Sequence, residues 1–138
     1  MSFEEIFDES YNRVLLATPE NTEFFEAFYQ RFLRSSPEVR QLFRNTDMAG
    51  QRRMLKKSFF SLVAFYASGA IDNVLRRIAY IHSARELNIK PYLYDLWLEC
   101  LIDTVKAYDP ECRDEVELAW RLILSPGITY MKFGYDHF

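Results

Sequence analysis

Of the two histidines in this chain, His82 is the one whose surroundings suit chemistry inside a fold. It follows Leu75, Ile78 and Ala79 at offsets of seven, four and three, so a helix through these residues turns its imidazole toward the same buried stripe. Such a ring is either a metal ligand or, as is ordinary for a lone inward histidine, a hydrogen-bonded core residue. His137 is penultimate and offers no local spacing for a shared multi-histidine site. Cys100 and Cys112 lack zinc-ligand spacing; Cys100 reads as core and Cys112 as a helix-surface residue. Twelve Phe and nine Tyr bring the aromatic content to 17%. The ordinary consequence is a ring-rich core; the sharper one is a pocket for a large flat ligand.

The elements that must position these residues read as helices throughout. No run alternates with a two-residue period, and no Asn-Gly or Asp-Gly hairpin signal occurs. A first helix opens on Ser2 with Glu5 three residues on, a capping-box pattern, and buries Phe3, Ile6, Phe7, Tyr11, Val14 and Leu15. The stretch Ala17-Thr18-Pro19-Glu20-Asn21 breaks it. A second helix runs from about Thr22 to Ser35 with Phe25, Phe28, Tyr29 and Phe32 inward. Ser36-Pro37 opens a short helix that ends near Leu42-Phe43. After Asn45-Thr46-Asp47 a long helix reaches about Ser68, with Met48, Gln51, Leu55, Phe59, Leu62, Val63 and Tyr66 on one face and Gly69 as terminator. Asp72 caps the helix that carries His82, and Pro91 opens one with Tyr94, Trp97, Leu101 and Val105 inward. Asp109-Pro110 is the expected cap of the last, which buries Val116, Trp120, Ile123 and Ile128 and should kink at Pro126. The expected fold class is therefore all-α. Six or seven helices of unequal length favour oblique crossing over a simple four-helix bundle.

The 138 residues fit one domain, 1–138, large enough to fold without a disulfide or a metal. A net charge of −3 argues against non-specific nucleic-acid binding. The acidic start lacks a signal peptide's basic region, and the longest apolar stretch, Phe59 to Ile71, is too short to span a bilayer. The chain accordingly reads as soluble and cytoplasmic, with no nucleic-acid or membrane partner.

Tyr29 is followed at offset eight by Pro37 and at offset fourteen by Phe43; Gln51 and Leu55 stand four apart on one helical face; His82, Pro91 and Tyr94 come next. Phe-Tyr-Gln-Arg-Phe-Leu (28–33), Ser-Pro-Glu-Val-Arg-Gln-Leu-Phe (36–43), Gln-Arg-Arg-Met-Leu (51–55) and Pro91-Tyr92-Leu93-Tyr94 complete a set that, in this order, resembles the globins, specifically the bacterial single-domain ones. The resemblance covers nearly the whole chain. It implies a globin fold around a haem b, with His82 as the iron ligand, supported by Tyr94. It also implies Phe43 flat on the haem, and Tyr29 and Gln51 at the gas-binding side with Leu55 close by. Ile78, Leu87, Ile89, Leu93 and Trp97 are expected in the pocket wall. The chain has no Cys-x-x-Cys-His run, so covalent c-type attachment is excluded.

On this reading one iron–imidazole bond holds the metal, and the carbonyl of Ile78 is in reach of the second ring nitrogen. The sixth position stays open to O2, CO or NO, since a position next to an inward residue, such as Met54, points about 100° away. Tyr29 offers an O–H and Gln51 an amide N–H to the gas. Reversible gas binding, for storage, transfer or sensing, is the first expectation. A nitric-oxide dioxygenase is the second. It resembles the flavohaemoglobins but needs a separate reductase, and the glutamate those proteins place near the proximal histidine falls here at Tyr135. A sensor would need a separate signalling partner, and a haem-free interaction module would have no use for His82. Arg52-Arg53 with Lys56-Lys57 read as a solvated basic face, with Arg52, Arg85 or Lys90 as alternative partners of haem propionates. Phe133, Tyr135 and Phe138 are expected to be exposed, leaving monomer and homodimer both open.

Overall fold

The computed structural model describes residues 1–138 and contains helices only: α1 (Phe3–Leu16), α2 (Phe24–Ser35), α3 (Pro37–Leu42), α4 (Met48–Ser68), α5 (Asn73–His82), α6 (Tyr92–Tyr108) and α7 (Asp114–His137), with a 3-10 turn at Pro19–Asn21. Local chemistry sets most of the boundaries. Ser2 and Glu5 form a reciprocal capping box, Ser36 caps α3 ahead of Pro37, and Asp72 accepts from the Leu75 amide at the start of α5. Gly69 ends α4 at φ 71°, a left-handed turn that a side chain resists.

Two boundaries differ from the sequence expectation. Helix α2 starts at Phe24 because the Glu23 carboxylate accepts from the Phe25 and Glu26 amides, while the Thr22 carbonyl accepts from the Tyr108 hydroxyl. Helix α7 starts at Asp114, not at an Asp109-Pro110 cap. Asp109 ends α6 instead, and its carboxylate turns inward to Ser10 Oγ (2.6 Å) and Arg13 Nε (2.7 Å). Cys112 therefore lies half-buried in the α6–α7 loop and not on a helix surface. The tail aromatics also differ: Phe133 is exposed, but Tyr135 and Phe138 are half-buried, Phe138 against Tyr130. Helix α7 runs through Pro126 without a break.

A cluster of aromatic rings fills the core where α1, α2, α4 and α7 meet. Trp120 sits edge-on to Phe7 at 4.6 Å, and Phe24, Phe25 and Phe59 extend the ring cluster. Trp120 Nε1 donates to Ser10 Oγ at 2.9 Å, so the indole N–H is not stranded by burial. The α4–α5 side differs: its inward side chains face an open space. No single helix is long and apolar enough to cross a membrane.

Candidate functional site: a cavity between a histidine and a tyrosine–glutamine pair

That space is an apolar cavity of about 400 Å³ enclosed by α2 to α7. Its volume and lining are those of a site for a sizeable organic ligand. It brings together every residue expected to line or support a pocket: Tyr29 from α2, Phe43 after α3, Gln51 and Leu55 from α4, Ile78 and His82 from α5, Leu87 and Ile89 from the following loop, and Leu93, Tyr94 and Trp97 from α6. The wall also includes residues not singled out for it: Phe32, Leu42, Thr46, Met54, Ser58, Leu62, Leu75, Ile81, Gly127, Ile128 and Met131. Several carried a usable signal. Ser58 and Leu62 lie seven residues beyond Gln51 and Leu55, and Leu75 seven before His82, two helical turns along the same faces. Met54 was expected to point away; it is 56% exposed yet its long side chain reaches the rim.

His82 is the last residue of α5, and its Nδ1 lies 3.2 Å from the Tyr94 hydroxyl. The hydroxyl, and not the Ile78 carbonyl, is thus the partner of the second ring nitrogen, because α6 brings Tyr94 to it across the cavity wall. Burial lowers the His82 pKa to about 4, so the ring is neutral near pH 7. In the tautomer whose Nδ1 donates to the Tyr94 hydroxyl, Nε2 keeps its lone pair for a metal. No group of three or more His, Cys, Asp and Glu is placed to hold a metal ion. A metal at His82 would therefore take its remaining ligands from a prosthetic group or solvent.

From the α2–α4 side, Gln51 Nε2 donates to the Tyr29 hydroxyl at 3.1 Å. The phenol accepts that bond and keeps its own O–H for the cavity, where no backbone group claims it. Burial pushes the Tyr29 pKa up to about 12, slightly offset by the Gln51 bond, so the hydroxyl stays protonated and able to donate. Tyr29 is held at its edges by Phe28 (4.9 Å) and Phe43 (5.8 Å). Of the cations expected as alternative propionate partners, Arg52 lies 3.7 Å from Glu23, Lys90 donates to the Tyr135 hydroxyl at 3.1 Å, and Arg85 is exposed.

The whole chain has a solved counterpart. A Pseudomonas aeruginosa PAO1 protein, described as structurally highly homologous to a human haemoglobin, matches with a TM-score of 0.88 and 36% identity over 97% of this chain and 98% of that one. This chain belongs to the globin family. No protein-family model matches it, and no curated protein does. In this globin the neutral histidine and the tyrosine–glutamine pair come from different helices and meet only around the cavity, an arrangement set by the fold and not by any short motif.

Proposed function

We propose that this globin binds haem b without a covalent link and uses it for reversible binding of a diatomic gas, O2 in the first place and CO or NO by the same chemistry. The observation that carries the reading is the lone neutral imidazole of His82 on the wall of a large apolar cavity that has no other metal-ligating cluster. Haem would supply the remaining iron ligands and an open position for the gas. His82 Nε2 would hold the iron, Tyr94 would fix the ring, and Phe43, Leu93 and Trp97 would supply flat apolar contact. The Tyr29 hydroxyl and the Gln51 amide would donate hydrogen bonds to the gas. The apolar walls exclude water, which strengthens those bonds.

Reversible binding is favoured over nitric-oxide dioxygenation by one detail. Neither His82 nor Tyr94 meets a carboxylate; Tyr135, at the place of the flavohaemoglobin glutamate, bonds to Lys90 and Asn88 instead. A neutral phenol withdraws little of the imidazole proton, so His82 stays a neutral, moderate donor ligand. The test is an absorption spectrum of the reduced protein before and after O2 and CO, repeated on His82→Ala. We expect a five-coordinate ferrous spectrum that shifts with each gas in the wild type and is lost in the variant. A six-coordinate low-spin spectrum without gas would refute the open position. Retention of the five-coordinate spectrum by the variant would refute the ligand.

A further inference from the structure

Helix α5 ends on His82 itself, so the backbone that carries the imidazole has no further helical turn to hold it. The loop that follows takes up the carbonyls of that last turn. Ser83 N (3.1 Å) and Ser83 Oγ (2.7 Å) donate to the Tyr80 carbonyl, Leu87 N to Ile81 (3.0 Å) and Ile89 N to His82 (3.0 Å). Ser83 is fully buried, and its own carbonyl accepts from the Glu86 and Asn88 amides. The loop thus closes back on α5, and its placement decides where the His82 backbone sits. The same loop puts Leu87 and Ile89 on the cavity wall. Its tightest point is Asn88, at φ 55°, a left-handed conformation that asparagine adopts at some cost.

One residue of α7 holds this loop at both ends. Tyr135 lies in the last turn of its helix, and its carbonyl accepts from the Ala84 amide at 2.8 Å, two residues beyond His82. Its phenol donates to Asn88 Oδ1 at 2.5 Å and accepts from Lys90 Nζ at 3.1 Å, with the ammonium 5.7 Å from the ring centroid. A surface phenol with a single bond to a neighbour would be ordinary helix–loop packing. Here the donor and the acceptor of one hydroxyl are both spent on the residues that flank Ile89, whose amide meets the His82 carbonyl. Tyr135 does not itself line the cavity, so any effect on the site passes through this loop.

We propose that Tyr135 is a positioning residue for the ligand histidine: its hydroxyl, by bridging Asn88 and Lys90, fixes Ile89 against the His82 carbonyl and so sets the direction of the imidazole at the cavity. The proposal rests on the haem reading given above. A histidine held by Tyr94 at Nδ1 and by the loop at its backbone presents Nε2 along one direction. Released on the loop side, the ring samples several directions and its bond to iron weakens, while Leu87 and Ile89 slacken on the wall. Phenylalanine at position 135 keeps the ring beside Lys90 and the carbonyl for Ala84; it removes the bridge alone.

The experiment compares wild type, Tyr135→Phe, Asn88→Gly and Tyr108→Phe, each loaded with haem and reduced. Asn88→Gly removes the acceptor and leaves the left-handed backbone easy. Tyr108→Phe is the control: it removes a phenol bond of the same kind, to the Thr22 carbonyl at 2.7 Å, from a residue that does not line the cavity. Resonance Raman spectroscopy reads the iron–imidazole stretching band, the Soret band reads haem loss to apomyoglobin, and urea unfolding reads stability. Hydrogen exchange of the Ile89 amide in the haem-free chain reads the loop itself. In Tyr135→Phe and Asn88→Gly we expect the band to move to lower frequency and broaden, haem loss to quicken about threefold or more, and Ile89 to exchange faster. Tyr108→Phe should lose stability with its band unmoved. A band unmoved in Tyr135→Phe, or moved equally in Tyr108→Phe, overturns the positioning role and leaves the haem reading intact. Unchanged Ile89 exchange in haem-free Tyr135→Phe overturns it independently of haem. Should Tyr135→Phe not fold, Asn88→Gly decides on the same terms. A wild type that takes up no haem, or shows no iron–imidazole band, overturns the haem reading and the proposal together.

Discussion

At the scale of single residues, the site works through two hydrogen-bonded pairs with different duties. Gln51 donates to Tyr29, which leaves the phenolic hydrogen free for a ligand in the cavity. A donor bond of this kind, in an apolar surround, contributes roughly 1–1.5 kcal/mol. Tyr29→Phe should therefore speed O2 release by up to about tenfold. CO release should change less, because bound CO carries less negative charge. Stopped-flow displacement of O2 by CO, with CO release followed by NO exchange, measures both; equal acceleration of the two gases would remove Tyr29 from the donor role. The second pair, His82 with Tyr94, was half legible in the sequence. The spacing of His82 from Leu75, Ile78 and Ala79 marks it as inward, and the resemblance to globins named Tyr94 as its support. Local reach suggested the Ile78 carbonyl for its second nitrogen, yet Tyr94, twelve residues on and in the next helix, takes that place. A one-turn offset is visible in a sequence; a contact made by helix crossing is not.

At the scale of helices, Asp109 shows why local patterns mislead. An Asp-Pro pair before a helix reads as its cap, but this carboxylate serves α1, across ninety-nine residues of sequence to Ser10 and ninety-six to Arg13. Burial alone would raise its pKa; the bonds from Arg13, Ser10 and the Glu111 amide outweigh that and hold it below the ordinary aspartate range. A carboxylate whose folded pKa is depressed stabilises fully above its unfolded value, near pH 4, and loses that contribution as pH falls through the folded value. Asp109→Asn should cost roughly 3 kcal/mol at pH 7, the low end for a broken buried pair because Arg13 keeps some solvent. Its deficit against the wild type should shrink below about pH 4. Urea unfolding at pH 7 and pH 3 checks this; a deficit independent of pH would mean that the loss is one of packing. A second helix contact bears on the cavity itself. A Cβ at Gly127 on α7 would lie 2.2 Å from Leu62 Cδ2 on α4, and both residues line the cavity wall. The cavity is open space beside Leu62, so the expected relief is a turn of Leu62 into it. Gly127→Ala should cost about 1–2 kcal/mol in urea unfolding and speed haem loss, and Leu62→Ala on the same background should slow that loss again. Haem loss unchanged in Gly127→Ala would mean that the leucine moves elsewhere.

At the scale of the whole molecule, the fold divides into a ring-packed half around Trp120 and a half whose apolar side chains face the cavity. The first half was legible because its stripes follow the 3.6-residue period and its helices begin or end at cap residues such as Ser2 and Ser36. The cavity was legible only in part. Periodicity marks Leu62, Leu75 and Ile128 as inward, but a side chain that packs on its neighbours and one that faces a void obey the same period. A half-hollow molecule depends on its ligand for stability, since a ligand bound by the native state alone stabilises it by mass action. At a thousandfold excess over the dissociation constant that is about 4 kcal/mol, which for a chain of this size raises the melting temperature by about 10 °C or more. Haem should therefore lift the melting point of the wild type by this order. His82→Ala, whose cavity keeps its apolar wall but lacks the imidazole, should show a clearly smaller rise. Differential scanning calorimetry of both chains, each with and without excess haem, separates the outcomes. A rise of equal size in the variant would assign the stabilisation to apolar burial alone; no rise in the wild type would mean that the cavity is not a haem site.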